Sequence, residues 1–333
     1  MALKYRETDY MYASARVRAL ESGIADGDRL ARAAEAASAR EALAMLSEFG
    51  FESEGEGKSR EEILSAPLRR GYAEIDAMGG AEAVAFLRYP YDCNNIKALI
   101  KCFRRGCSTE GMLFEGMGAL SLDALKRAFE DKRYEVLPPH MAAAVPEAER
   151  EFSESGNPQR VDLLIDRACF ADMLASAEAS GIPLALELVR QKIDLLNLMT
   201  TVRLLRMKLR AMGEAFFADA YLTGGSLDRD LLIESLREGS ETALAQRLAY
   251  TAYSFLTPLL ETGAPLHEME RAADNARMET ARRAKFLPFG AELMIGYAMA
   301  LEYEVMNIRI LLAGKDAGLS PEVIRERLRR SYV

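Results

Sequence analysis

Histidine is nearly missing from this chain: there are two, His140 and His267, in 333 residues. A metal site built on imidazoles needs several of them at ligand spacing, so that class is excluded. His267-Glu268 opens like a zinc-protease helix, but position 271, where the second histidine belongs, holds Arg271. Four cysteines, at 93, 102, 107 and 169, include no pair at metal-knuckle spacing. They read as incidental thiols of a reduced, cytoplasmic protein. An excess of positive charge is missing too. A net charge of −8 argues against a nucleic-acid binder, which must neutralise phosphates, and against adhesion to anionic lipid. No stretch approaches the roughly 20 apolar residues that span a bilayer. The longest candidate, Leu293 to Leu301, is closed by Glu292 and Glu302. The first residues, Met1 to Glu7, carry no apolar export-signal core.

Catalytic patterns are equally scarce. Gly57-Lys58-Ser59 looks like the end of a phosphate-binding loop, but that loop needs a glycine where Glu52 stands. Glu54 and Glu56 would repel phosphate besides. There is neither a nucleophile elbow nor a dinucleotide-binding glycine loop. Asp162, Asp166 and Asp172 are spaced too loosely, with Arg167 between them, for an all-α enzyme holding a metal-diphosphate. Paired acids such as Glu61-Glu62 read as solvated helix faces, and the scattered methionines as core filling. No catalytic, cofactor-binding or metal-binding residue is expected.

What the sequence has is helix-forming composition and a repeat. Hydrophobic residues make up 50% and charged residues 28% of a soluble globular chain, with short runs of β-branched residues, so the fold is expected to be all-α. One phrase recurs three times, about a third of the chain apart: acid, two residues, asparagine, aliphatic. It reads Asp92-Cys93-Asn94-Asn95-Ile96, then Asp194-Leu195-Leu196-Asn197-Leu198, then Glu304-Val305-Met306-Asn307-Ile308. The chain has six asparagines, and one in each phrase holds the equivalent place. Repeats of this kind decide a fold before anything else does. Acid and asparagine at i and i+3 share a helix face. Asparagine is a poor mid-helix residue, costing ~0.6 kcal/mol against alanine, so its retention suggests a side-chain task. That task is read as a buried bond to a neighbouring backbone, with the carboxylate solvated or paired. A polar site shared by the three copies is the alternative.

Residues 184–210 predict a two-faced helix, with Leu188, Leu195, Leu198, Val202, Leu205 and Leu209 on one side and Arg190, Asp194, Asn197, Thr201 and Lys208 on the other. Residues 291–312 predict a helix buried on most sides. Each phrase is followed by a glycine turn and a capped helix start: Gly118 to Ser121, Gly224 to Asp228, and Gly318 to Glu322. The expected repeats are 1–117, 118–223 and 224–333, with loops at 52–59 and 137–158. The basic stretch Arg203, Arg206, Lys208 and Arg210 reads as a solvated flank with salt bridges, with a docking surface for an acidic partner as the alternative. The run Arg325, Arg327, Arg329 and Arg330 suits the negative end of a helix.

Over nearly its whole length the chain resembles the C subunits of V-type and A-type ATPases, the family of the eukaryotic d subunit. The resemblance rests on Tyr91-Asp92 through Lys101, Asp194 through Arg203, and Glu302-Tyr303-Glu304-Val305-Met306-Asn307-Ile308-Arg309. It extends to the opening Tyr12 to Arg18 and to the ending at Gly314-Lys315, Gly318-Leu319 and Ile324 to Leu328. The resemblance implies three pseudo-threefold-related helical domains forming a funnel-shaped molecule, monomeric when isolated. It implies a non-catalytic central-stalk component, peripheral to the cytoplasmic face of the membrane. Such a component links the stalk made by the D and F subunits to the membrane proteolipid ring and transmits torque for ATP-linked proton or sodium transport. A helical-repeat scaffold unrelated to the rotary ATPase is the competing expectation, although solenoid repeats run 20 to 50 residues by the general rule.

Overall fold

The computed structural model describes residues 6–51 and 58–333, apart from the side chains at 104, 210 and 211. The broken phosphate loop at 52–57 lies outside the described residues. In chain order the helices are α1 (Met11–Glu21), α2 (Gly27–Ala33), α3 (Ala39–Met45), α4 (Arg60–Ala77), α5 (Ala81–Arg105), α6 (Leu122–Asp131), α7 (Pro139–Ser155) and α8 (Pro158–Ser180). They continue with α9 (Pro183–Arg206), α10 (Arg210–Ala220), α11 (Arg229–Glu238), α12 (Glu241–Leu248), α13 (Thr257–Glu261), α14 (Leu266–Arg282), α15 (Glu292–Asp316) and α16 (Pro321–Arg327). Short 3₁₀ turns join some of them, and no strand occurs among the described residues. The fold is all-α.

Packing divides the chain into two compact units. One is Ala85–Gly263; the other joins the N-terminal part, up to Val84, to Ala264–Val333. Phrase helices α5 and α9 belong to the first unit, except for the opening turn of α5, and α15 belongs to the second.

In the first unit α7 and α8 form an antiparallel pair joined at Gly156, whose left-handed φ of 65° ends α7. Residues 139–155, expected as loop from their prolines, are helix. Pro139 occupies the first helical turn, where no amide hydrogen is needed. The free amides of His140 and Met141 donate to the buried Asp172 carboxylate at 2.9 and 2.8 Å. A carboxylate at a helix N-terminus both satisfies orphan donors and faces the positive dipole end. Helix α9 packs on α8, α10 and α11. Of the expected apolar side, Leu188, Leu195, Leu198, Val202 and Leu205 are buried, while Leu209 lies beyond the helix end; Asp194, Asn197 and Thr201, from the side read as polar, are buried too.

In the second unit α15 is the core. Every residue from Glu292 to Leu301 is buried, and α1, α2, α3, α4, α14 and α16 all pack on it. Small residues permit that crowding. A Cβ at Gly71 of α4 would stand 2.0 Å from a Leu301 methyl, so α4 crosses α15 at a glycine. Ser59 caps α4 in a reciprocal capping box with Glu62.

Candidate functional site

The three phrases build the same device. In each, the asparagine amide grips one downstream residue through both backbone groups. Asn95 Oδ1 accepts from the Phe114 amide at 2.8 Å and Nδ2 donates to its carbonyl at 3.0 Å. Asn197 treats Leu222 likewise at 3.0 and 2.8 Å, and Asn307 treats Arg329 at 2.7 and 3.0 Å. All three asparagines are buried. The amide group is the one neutral side-chain terminus that matches a peptide's donor and acceptor at once.

The acids hold the turn before a capped helix. Asp92 accepts from Ala119 at 2.8 Å and Leu120 at 3.3 Å, and Ser121 then caps α6. Asp194 accepts from Ser226 at 2.9 Å and Leu227 at 3.0 Å, and Asp228 then caps α11. Gly118 and Gly225 open these turns because a Cβ there would stand 2.1 and 2.0 Å from the acid's Oδ1. The carboxylates of Asp92 and Asp194 are thus buried and bonded to backbone rather than solvated, and Arg88 lies near enough to Asp92 to favour its charged form.

The third copy departs from the expected order. Glu304 accepts not from the Gly318 start but from the Ala25 amide, at 2.6 Å and 279 residues upstream. Asp26 then caps α2. Gly23-Ile24-Ala25-Asp26 therefore stands where Gly118-Ala119-Leu120-Ser121 and Gly225-Ser226-Leu227-Asp228 stand in the other two copies. The next cap follows suit: Ser38 starts α3 as Ser240 starts α12. The third phrase thus holds a turn from the other end of the chain. The third acid is a glutamate, one methylene longer, and a Cβ at Gly23 would meet nothing closer than 3.4 Å. Two supporting residues carry no phrase of their own. Tyr253 donates its hydroxyl to Asp194 at 2.7 Å, and buried Arg88 donates to the Met117 carbonyl at 3.2 Å beside Asp92.

Burial pushes the Glu304 carboxyl up from 4.5 to about 8, partly opposed by the Ala25 amide. It pushes Asp92 to about 6 against its two amides and Arg88. Each group holds its proton more tightly folded than unfolded, so the unfolded chain binds fewer protons between the two pKa values. The Glu304 contribution is complete below its unfolded pKa and is lost as pH rises through about 8. The melting temperature is expected to fall between pH 5 and 9, with Glu304 contributing up to ~1.4 kcal/mol per pH unit. Glu304→Gln, which can still accept from Ala25, should flatten that slope and melt above wild type at the alkaline end. Parallel melting curves for the two proteins would contradict this.

The cationic stretch lies at the C-terminal end of α9. Arg203 and Lys208 are exposed. Arg206 makes the kind of salt bridge expected of this flank but is half-buried rather than exposed: its guanidinium pairs bidentately with Glu241 at 3.0 and 2.9 Å, tying α9 to α12. The Arg210 side chain lies outside the described residues. A cavity of about 710 Å³ opens here between Leu204, Leu205, Leu209, Leu236 and Glu241. Met207 and Met212, next in sequence to residues that line it, are 63% and 76% exposed. These methionines are not core filling, and period alone could not distinguish them, since they follow the last buried turn of α9. No group of three histidine, cysteine or acidic side chains fit for a metal ion occurs among the described residues.

The sequence profile of the ATP synthase (C/AC39) subunit family matches residues 13–327. The chain belongs to that family. Among its relatives, the A-type ATP synthase C subunit of Thermococcus kodakarensis is 26% identical over 339 residues, covering 97% of this chain and 91% of its own length. The V-type sodium ATPase C subunit of Enterococcus hirae is 28% identical over 244 residues, 73% of each chain. This C/AC39 protein is therefore a non-catalytic component of a V/A-type rotary ATPase and serves ion transport. The absence of a catalytic constellation in the sequence and the use of its acids for backbone gripping agree with that role. No helix among the described residues is long and apolar enough to cross a membrane.

Proposed function

We propose that this C/AC39 protein is the central-stalk adaptor of its ATPase, seated peripherally at the membrane. It would join the stalk made by the D and F subunits to the proteolipid ring and pass torque between them. The observation that carries the reading is the repeated clamp. Six phrase side chains fasten turns and helix starts to three long helices, a construction suited to holding shape under load. The reading takes the chain as three copies of one helical unit, with breaks near 118 and 224 and the third copy completed by residues 23–49.

The end of α9 offers docking chemistry. Exposed methionines supply adaptable apolar area, and Arg203 and Lys208 supply charge that steers an acidic partner. Lys208→Glu is the cleaner probe, because reversal at Arg206 would also break the Glu241 pair. Lys208→Glu is expected to weaken capture of a purified D–F complex by about tenfold, roughly 1.4 kcal/mol, with an unchanged melting temperature. A chain that captured neither D–F nor the ring in its wild-type form would refute the adaptor reading.

A further inference from the structure

The cysteines fall into two pairs that the repeat does not explain. Cys93 of α5 and Cys169 of α8 are both buried, and the neighbouring Cys169 thiol pushes the Cys93 pKa up. The second pair is built by the end of α5. Gly106 takes a left-handed φ of 63°, and the Cys107 amide donates back to the Cys102 carbonyl at 3.2 Å. This six-to-one closure sets Cys102 and Cys107 at the two ends of one turn, where the Cys102 thiol donates to the Ser108 carbonyl at 3.7 Å and the neighbouring Cys107 thiol pushes the Cys102 pKa up. A turn then reverses the chain, with the Met112 amide on the Thr109 carbonyl at 3.1 Å and Gly111 at φ 71°. It returns Met112 so that its Sδ stands 3.9 Å from Cys102 Sγ. The loop is pinned just beyond by Asn95, which holds Phe114.

The bland account of this contact is a helix end packed with small apolar groups. Exposure argues otherwise: Cys107 is exposed and Met112 is 58% exposed. All three sulfurs line one open cavity of about 610 Å³. Two sulfurs bound to one metal at roughly 2.3 Å each stand about 4 Å apart in a trigonal set, which is the separation already present between Cys102 and Met112. Zinc favours four nitrogen or sulfur ligands, whereas a set of thiolates and a thioether selects a soft d¹⁰ ion such as copper(I). Two thiolates with one monovalent ion leave a single negative charge. Arg105 lines the same cavity and can balance it, while Lys101 is paired with Asp162 at 2.5 Å.

We propose that Cys102, Cys107 and Met112 form a three-sulfur site for a soft monovalent metal ion of the copper(I) class. Binding displaces the thiol protons to solvent and requires no change in metal or sulfur oxidation state.

The test is an anaerobic titration of the full chain with silver(I) and copper(I), read by the near-ultraviolet sulfur-to-metal band and by competition with a coloured copper(I) chelator. One ion per chain is expected. Even groups behind a ligand cost 10- to 100-fold in affinity, so Cys102→Ser and Cys107→Ser should each lose about a hundredfold or more. Met112→Leu should lose less, and the Cys93→Ser/Cys169→Ser double variant should match wild type. In the wild-type chain, one equivalent of silver(I) should protect Cys107 from alkylation, read by mass spectrometry. That readout holds even where a serine variant fails to fold. No stoichiometric binding, alkylation of Cys107 undiminished by the ion, or loss of binding only in the Cys93/Cys169 variant would each overturn the proposal.

Discussion

Asn197→Leu is expected to melt well below the wild-type chain while, at temperatures where it is folded, still binding its partners. Leucine matches the asparagine in size but leaves the Leu222 amide and carbonyl, both held by Asn197, without partners in a buried place. Each orphaned buried group costs about 1 to 3 kcal/mol, so the loss should reach roughly 3 to 5 kcal/mol. For a unit of this size that corresponds to about 10 °C in melting temperature. Thermal melts and D–F capture on the same samples separate the two possibilities. An unchanged melting temperature with abolished capture would mean that the asparagine serves docking and not the clamp.

Removing the first 50 residues should have a still larger effect, confined to the second unit. The truncated chain loses α1 to α3, and with them Val17, Ile24, Leu30, Leu43 and Leu46, each buried to 3% exposure or less. At ~2 kcal/mol per buried side chain these five contribute about 10 kcal/mol, comparable to the whole stability of a domain. The cut also strands Glu304 without the Ala25 amide. Hydrogen exchange should show residues 292–312 losing protection while α8 and α9 keep theirs. Protection of 292–312 retained in the truncated chain would show that the two ends do not complete one copy.

The three phrases were legible because acid, asparagine and spacing recur in a composition poor in asparagine. Their glycine turns were legible at 118 and 225, where the partner lies a few dozen residues downstream. The turn that Glu304 holds was not legible, for a physical reason. Linear reading looks for a helix start after the phrase, and Ser320-Pro321-Glu322 is a strong one that does cap α16. Nothing local says that Glu304 reaches back to residue 25; only closure of the chain shows it. The helix at 139–155 was missed because Pro138, Pro139 and Pro146 spoke for a loop, while Asp172, which satisfies its first amides, comes from another helix. A salt bridge was expected at Arg206, but its partner was not legible for the same reason: Glu241 is distant in sequence. Cys102, Cys107 and Met112 passed as incidental because their meeting depends on a left-handed glycine at the end of α5.

Coupling is the property proposed for this protein, and depletion tests it. The purified ATPase, stripped of this chain and reconstituted in vesicles, is assayed for ATP hydrolysis and for ion uptake side by side. If the chain is the adaptor, the catalytic head still hydrolyses ATP, ion uptake is lost, and adding back the purified chain restores it. Ion uptake persisting at the wild-type ratio to hydrolysis without this chain would contradict that role.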